Sequence, residues 1–253
     1  MSAGVDALVV WTPGDDDPTA ALESLVPQVG KLVLVANGGR PASVPQGVRF
    51  VDNERPLGIG TNINKGIAAT TAPYVVTANP DTVAEPGAIE TLRAFMEAHP
   101  RCAIAGPQLR YPDGTWQPSR RRFPTVTGTI VRRTPLRLLL KPQERQRSHY
   151  LFDERPTEPT TADWILSAFL MLRREAMDEL DGYDEGFRLY GDEIDLAYRA
   201  RKAGWERWYV PDAVVIHDHQ AVTDHRFLTR RTLWHWRSIF RFVRKHPERL
   251  RAL

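Results

Sequence analysis

The chain has one cysteine, Cys102, in 253 residues. An intrachain disulfide framework is excluded, and a lone thiol of this kind fits a reducing cytoplasm, where it reads as a small core residue. Long apolar runs are also missing. A membrane span needs roughly 18 apolar residues, whereas the longest candidate, Trp164 to Leu172, is interrupted by Ser167 and followed at once by Arg173-Arg174. No basic region precedes the first short apolar run, so no signal peptide is expected. Acidic residues are scarce in two stretches, Arg110 to Arg147 and Arg226 to Arg251, where arginines crowd although the net charge is only +3. That asymmetry implies an anionic partner such as phosphate, lipid head groups or nucleic acid, set against a merely solvated basic surface. A recognisable nucleic-acid module, a P-loop lysine pattern and a complete G-x-G-x-x-G are all absent, so nucleic acid is not an expected partner.

What is present is a repeating α/β pattern. Asp6–Trp11 reads as a strand closed by Thr12-Pro13-Gly14, and Thr19–Val26 as a helix capped around Asp17 with Pro18 at its first position. Lys31–Ala36 and Val48–Asp52 follow as strands, the former closing on Asn37-Gly38-Gly39. Leu57-Gly58-Ile59-Gly60-Thr61-Asn62-Ile63-Asn64 enters a helix reaching Thr70; its asparagines either cap that helix or face a ligand. Next come a buried β-branched strand from Tyr74, an amphipathic helix over Pro86–Ala98 and a strand over Ala103–Leu109. This order argues for a mostly parallel sheet with helices on both faces. Periodicity then disappears from Thr115 to Thr161, a length that marks a functional or disordered loop.

Chemistry concentrates at element ends. The Tyr74 strand stops at Asn79-Pro80-Asp81, a turn that closes on itself or presents a carboxylate outside a strand's carboxyl end, where α/β sheets bind ligands. Magnesium takes one or two carboxylates plus substrate phosphates. Gly191-Asp192-Glu193-Ile194-Asp195 opens a helix running to Lys202; Asp192 is either its N-cap or, with Glu193, a general base. Trp208–Val210 and, past Pro211, Ala213–Ile216 read as strand, ending at His217-Asp218-His219, where imidazole beside carboxylate suits metal or structure. Thr229–Lys245 reads as a helix with Leu233, Trp236, Ile239, Phe240 and Val243 on one side and arginines on another. Such a helix lies at a membrane interface or packs apolar side down.

Four stretches, Leu57–Gly66, Ala78–Thr82, Gly106–Thr125 and Asp163–His217, taken in order, resemble glycosyltransferase family 2, and most of all its rhamnosyltransferase-like branch. The resemblance runs from Asp6 to about Lys245. It implies a GT-A fold over residues 1–222, with a loop near 115–160 and a basic amphipathic segment over 223–253. It further implies that Asn79 and Asp81 form the D-x-D-type motif, and that Asp81 and His217 hold a divalent cation, Mg²⁺ or Mn²⁺. Glu193, or Asp192, is the implied base. Thr12, Asn37, Asp52, Gly58 and Asn64 are implied on the donor side, and Trp164, Ser167 and Ala168 on the acceptor side. Departures exist: Ala36 stands where a carboxylate is usual, with Asp52 as substitute, the acids read Asp-Glu rather than Glu-Asp, and Ser167 replaces a glycine.

The implied activity is metal-dependent inverting transfer from a dTDP- or UDP-sugar, with dTDP-L-rhamnose the leading donor. The implied acceptor is a cell-envelope glycan or a polyprenyl-diphosphate-linked precursor, met in the cytoplasm or on the inner face of the membrane. A catalytically inactive nucleotide-sugar-binding relative and a sugar nucleotidyltransferase are the alternatives. The second expects a basic glycine-rich loop after the first strand, where Asp15-Asp16-Asp17 stands instead.

Overall fold

A computed structural model describes residues 4–124, 155–187, 191–218 and 230–251. Strands β1 (Val5–Trp11), β2 (Leu32–Asn37), β3 (Val48–Asn53) and β4 (Tyr74–Ala78) pair in parallel. With β5 (Thr82–Ala84), β6 (Cys102–Arg110), β11 (Phe169–Arg173) and β12 (Glu206–His217) they form one sheet in the order β3-β2-β1-β4-β11-β6-β12-β5. β11 runs antiparallel to both β4 and β6, while β12 is parallel to β6. The carboxyl ends of β1, β2, β3, β4, β6 and β12 therefore open on one edge. Short strands β7 (Trp116–Gln117) and β9 (Thr160–Thr161) add to β6 and β12, and β8 (Arg120–Arg121) pairs with β10 (Trp164–Ile165) as a separate ribbon.

Strand alternation divides the core. Val5, Ala7 and Val9 meet Leu22 and Leu25 of α1 (Thr19–Leu25) and Ile89, Leu92 and Met96 of α3 (Ala88–Ala98). Leu8 and Val10 meet Ile63 and Ile67 of α2 (Ile59–Ala68), Met177 of α4 (Arg174–Glu179) and Leu196 of α5 (Asp192–Lys202) on the opposite face. The helix at Gly66 lies so near the sheet that a β-carbon there would come 2.7 Å from Leu8 Cδ2. At the amino edge Asp6 accepts the N–H groups of Lys31, Thr71 and Ala72, tying the starts of β1, β2 and β4 together.

Several local expectations change. Pro18, not Asp17, caps α1, and Asp17 accepts the Thr19 N–H at 3.0 Å from outside the helix. The two short segments around Pro211 are one strand, β12, with its register against β6 broken between Val210 and Val214, the irregularity a strand proline requires. Gly191, at φ 89°, caps α5, so Asp192 is the first helical residue and not the cap. Residues 125–154 of the expected 115–160 loop lie outside the described residues, as do Thr229 and His219.

The C-terminal helix α6 (Arg230–Lys245) docks by a different stripe from the one its apolar residues suggest. Ser238, Phe242 and His246, spaced by four, are buried, whereas Phe240 is 70% exposed. Trp236, Ile239 and Val243 are half-buried, and the Leu233 side chain lies outside the described residues. Phe242 and His246 both meet the Tyr198 ring edge-on. Arg241 and Lys245 pair with Asp184, and Lys245 and His246 with Asp195. Among the described residues, no helix is long and apolar enough to cross a membrane.

Candidate active site

Three groups of polar residues collect along the carboxyl edge. The first lies where β1, β2 and β3 end. Asn37 donates to Thr12 Oγ1 at 3.2 Å and to the Leu57 carbonyl, and its Oδ1 accepts the Leu57 N–H at 2.7 Å. Asn53, directly abreast of Asn37, donates to Asn37 Oδ1 at 3.3 Å and to Asn62 Oδ1 at 2.6 Å. Lys65 Nζ donates to Asn53 Oδ1 at 2.6 Å. Gly58 caps α2 beside this network with no side chain of its own, leaving backbone N–H groups at the helix start.

Strand parity excludes Asp52 from the network. It points the other way, half exposed and in an ion pair with Arg40. Asn64 is also elsewhere: it donates to the Tyr183 carbonyl at 2.8 Å and to Glu185, and accepts the Tyr183 N–H at 2.9 Å. Neither Asn62 nor Asn64 makes a cap bond to α2. Asp52 instead lies abreast of Ala36, and Asn53, Asn62 and Lys65 form a polar floor that the sequence reading does not name. Parity against Asn37 would have found Asn53 once the β2–β3 register was known.

The second group is the Asn79-Pro80-Asp81 turn with the end of β12. Asn79 donates its backbone N–H to the Ala168 carbonyl at 2.8 Å, and its own carbonyl accepts Thr82 Oγ1 at 2.7 Å. The Asp81 carbonyl accepts the Asp218 N–H at 3.0 Å, which draws β12 against the turn. His217 Nε2 consequently stands 3.4 Å from Asp81 Oδ2, longer than a good hydrogen bond. Gln117 Oε1 lies 2.7 Å from His217 Nδ1. That contact holds the ring with Nε2 turned toward Asp81. Asp81 Oδ1 is buried with no hydrogen-bond partner. A buried carboxylate oxygen left without a partner beside an imidazole suits a divalent cation. Among the described residues no group of three His, Cys, Asp or Glu side chains is placed to hold a metal. Asp15 is near enough for the Asp81 charge to reinforce burial in raising its pKa.

The third group is the start of α5. Asp192 is 3% exposed and Glu193 half-buried. Burial, and then the charge and hydrogen bond of Glu193, push the Asp192 carboxyl well above the usual carboxylate range. Of the two, Glu193 stands nearer to solvent. Gly60 allows this approach: a β-carbon there would lie 3.2 Å from Tyr183 Cβ and 3.9 Å from Asp192 Cβ. One turn on, Asp195 is fully buried and accepts from Arg199 Nε at 2.7 Å, Lys245 Nζ at 2.9 Å and His246 Nε2 at 2.8 Å. Burial opposes its ionisation, yet His246, Arg199 and Lys245 together hold it below the usual range.

On the far side, Trp164 is buried with its indole N–H donated to the Arg122 carbonyl at 2.9 Å. Ala168 is buried behind the Asn79 turn and Ser167 is half-buried beside it.

The Glycosyl transferase family 2 model matches residues 40–181. An N-acetylglucosaminyl-diphospho-decaprenol L-rhamnosyltransferase of Mycobacterium tuberculosis is 30% identical over 93% of this chain and 82% of its own length. Rhamnosyltransferase WbbL of Escherichia coli is 34% identical over 33% of this chain and 31% of its own. Among solved structures, GalNAc-T7 with UDP, GalNAc and Mn²⁺ superposes at TM-score 0.67 and 15% identity, over 96% of this chain. Mannosyltransferase PcManGT from Pyrobaculum calidifontis, in complex with GDP-Man and Mn²⁺, does so at 0.61 and 13% identity, over 95% of this chain. This chain spans 48% and 64% of those two, and the likeness shows the GT-A fold. The sugar nucleotidyltransferase alternative falls with these matches. The chain belongs to glycosyltransferase family 2 and is a glycosyltransferase of GT-A fold.

Proposed function

We propose that this enzyme moves L-rhamnose from dTDP-L-rhamnose to a hydroxyl of a polyprenyl-diphosphate-linked saccharide, by a single inverting displacement that needs a divalent cation. The observation that carries the reading is the 3.4 Å approach of His217 Nε2 to Asp81 Oδ2 beside the unpartnered Asp81 Oδ1. Asp81 and His217 are the residues that would hold Mg²⁺ or Mn²⁺, which when bound supplies Lewis-acid stabilisation of the departing diphosphate. Two protein groups leave most of a cation's shell to phosphate and water, the usual arrangement for substrate-borne metal. The rhamnosyltransferase names of the sequence relatives support the sugar and the lipid-linked acceptor.

Thr12, Asn37 and Gly58, joined by Asn53, form the nucleoside end, with backbone N–H groups and amides in place of the absent carboxylate at position 36. Glu193 takes the proton of the acceptor hydroxyl, and Asp192, buried and hydrogen-bonded to it, fixes its orientation. A positioned base of this kind contributes roughly 10²–10⁴-fold. Trp164, Ser167 and Ala168 border the acceptor side. Residues 1–222 serve as the catalytic domain and 223–253 as a segment that meets the membrane surface. Because α6 docks through Phe242, His246 and Lys245, its Phe240 side remains turned outward with Arg237 and Arg244 exposed nearby.

The test is a donor screen of dTDP-rhamnose, UDP- and GDP-sugars with a short-chain GlcNAc-diphospho-lipid, with Mn²⁺ or with EDTA, and the product anomer read by NMR. Rhamnosyl transfer that stops in EDTA and inverts the anomeric centre is expected. Transfer undiminished by EDTA, or with retention, overturns the mechanism.

A further inference from the structure

The sheet face that carries α5 also carries polar groups that the chain leaves unsatisfied. Gln108 and Arg110 lie two residues apart on β6 and project to one face, opposite Leu109, which enters the α1/α3 core. Trp116 is abreast of Arg110 across β7, and Tyr209 is abreast of Gly106 on β12. Ile165 rests on Gly106, so the β8–β10 ribbon covers this face and brings Ser119 and Arg120 with it. Arg155 reaches in to donate to Gln108 Oε1 from Nη2 at 2.8 Å and Nε at 3.2 Å. Burial raises the Tyr209 pKa, while the Trp116 indole and the charges of Arg155, Arg120 and Arg110 act against it. All of these groups therefore surround one hydroxyl.

Arg110 Nε and Ser119 Oγ are buried with no hydrogen-bond partner, and Trp116 Nε1 and Tyr209 Oη, close enough for the indole to act on the hydroxyl, complete no well-formed bond either. Native interiors leave few such atoms unmatched, and each asks for an explanation such as an ion or ligand. Arg110 and Arg155 have no carboxylate within ion-pair distance among the described residues. Guanidinium and indole only donate, the two hydroxyls can donate, and the Gln108 oxygen is already taken by Arg155. A matching ligand is rich in acceptor oxygens and negatively charged. Guanidinium forks select phosphate among such ligands. Position separates two sources of diphosphate. His217 and Gln117 share strand parity with Val215 and Leu109 on the α1/α3 face, whereas Arg110 and Trp116 project to the opposite face.

We infer that Arg110, Arg155, Trp116 and Tyr209 bind the diphosphate of the acceptor, at a subsite separate from the one that holds the donor diphosphate on Asp81 and His217. The inference rests on the glycosyl-transfer reading for the word acceptor, though not for the anion. The test is isothermal titration of the full chain with geranyl diphosphate in EDTA, and separately with dTDP and UDP in Mn²⁺. Arg110→Met is expected to weaken geranyl diphosphate about tenfold to hundredfold, the range for a hydrogen bond to a charged group, and to leave nucleotide affinity as in the wild type. Tyr209→Phe is expected to weaken it less, and geraniol to bind neither protein. The Arg110→Met midpoint of thermal unfolding should be no lower than wild type, because the substitution removes a buried Nε that has no partner to lose. No binding by the wild type, no effect of Arg110→Met, or a lowered midpoint marking Arg110 as structural, each overturns the site. An equal loss for dTDP and UDP assigns the cluster to the donor and overturns it as well. A protein that binds geranyl diphosphate as expected but turns over no nucleotide sugar refutes the glycosyl-transfer reading alone.

Discussion

His246 Nε2 lies 2.8 Å from Asp195 Oδ1, joining the C-terminal helix to the helix that begins with the acid pair. Asp195 is fully buried, and Arg199 and Lys245 complete its shell. Removing one partner from such a cluster strands the others, at a cost of about 3–5 kcal/mol. Asp195→Ala should lose that much in urea unfolding at neutral pH; a loss below about 1 kcal/mol would mean that the cluster behaves as a surface pair. The pH dependence has a definite sign. The folded pKa lies below the unfolded value, so the contribution is present above the ordinary carboxylate pKa and is lost as pH falls through the lowered one. Asp195→Asn should therefore flatten the acid limb of the stability curve.

Gln117 controls which nitrogen of His217 faces Asp81, so it should matter to cation affinity without touching the cation. Partners of this kind are worth about 10- to 100-fold in metal affinity. Gln117→Leu should weaken Mn²⁺ binding by that factor, read by the free-ion EPR signal, in the absence of any sugar donor. Asp81→Ala should abolish both binding and EDTA-sensitive turnover while the circular dichroism spectrum stays that of the wild type. Unchanged Mn²⁺ affinity in Asp81→Ala would remove the cation from this turn.

The long apolar strands and the Asn-Pro-Asp turn were legible because period-two alternation and a proline turn are local signals. Sites that depend on what lies opposite were not. Register sets Asp52 abreast of Ala36, the position whose carboxylate is missing, and Asn53 abreast of Asn37, where no local signal marks it. Gln117 sits in a two-residue strand with no periodicity to announce it. For α6 the apolar residues suggested the docking stripe, whereas Asp184 and Asp195, remote in sequence, selected the stripe bearing Phe242 and His246. Asp192 resembled an N-cap because a left-handed Gly191 cap leaves no side-chain signature.

The acid pair makes opposite predictions for stability and for rate. Asp192 has a folded pKa raised by burial and by Glu193, so its contribution is complete below the ordinary carboxylate value and declines as pH rises through the raised one. Asp192→Asn should remove that decline, making the protein more stable than wild type above neutral pH in thermal melts. Glu193→Gln should keep dTDP binding yet lose transfer by roughly 10²–10⁴-fold. Transfer lost in Asp192→Asn and kept in Glu193→Gln would move the base to Asp192.

The outward side of α6 can be tested apart from its docked side, since the two use different residues. Phe240 is 70% exposed and lies two residues, about 200° of helix, from buried Phe242. Arg237 and Arg244 are exposed and free to meet anionic head groups. Each basic residue near such a surface is worth about 1 kcal/mol. Reversing both, Arg237→Glu with Arg244→Glu, should weaken cosedimentation with phosphatidylglycerol vesicles by at least about thirtyfold, a loss that shrinks in high salt. Phe240→Ser should weaken it too, with little salt dependence, because that contact is apolar. Neither variant should shift the thermal midpoint, as none of these side chains joins the Asp184 and Asp195 clusters. A lowered midpoint with unchanged vesicle binding would instead assign this face to packing within the protein.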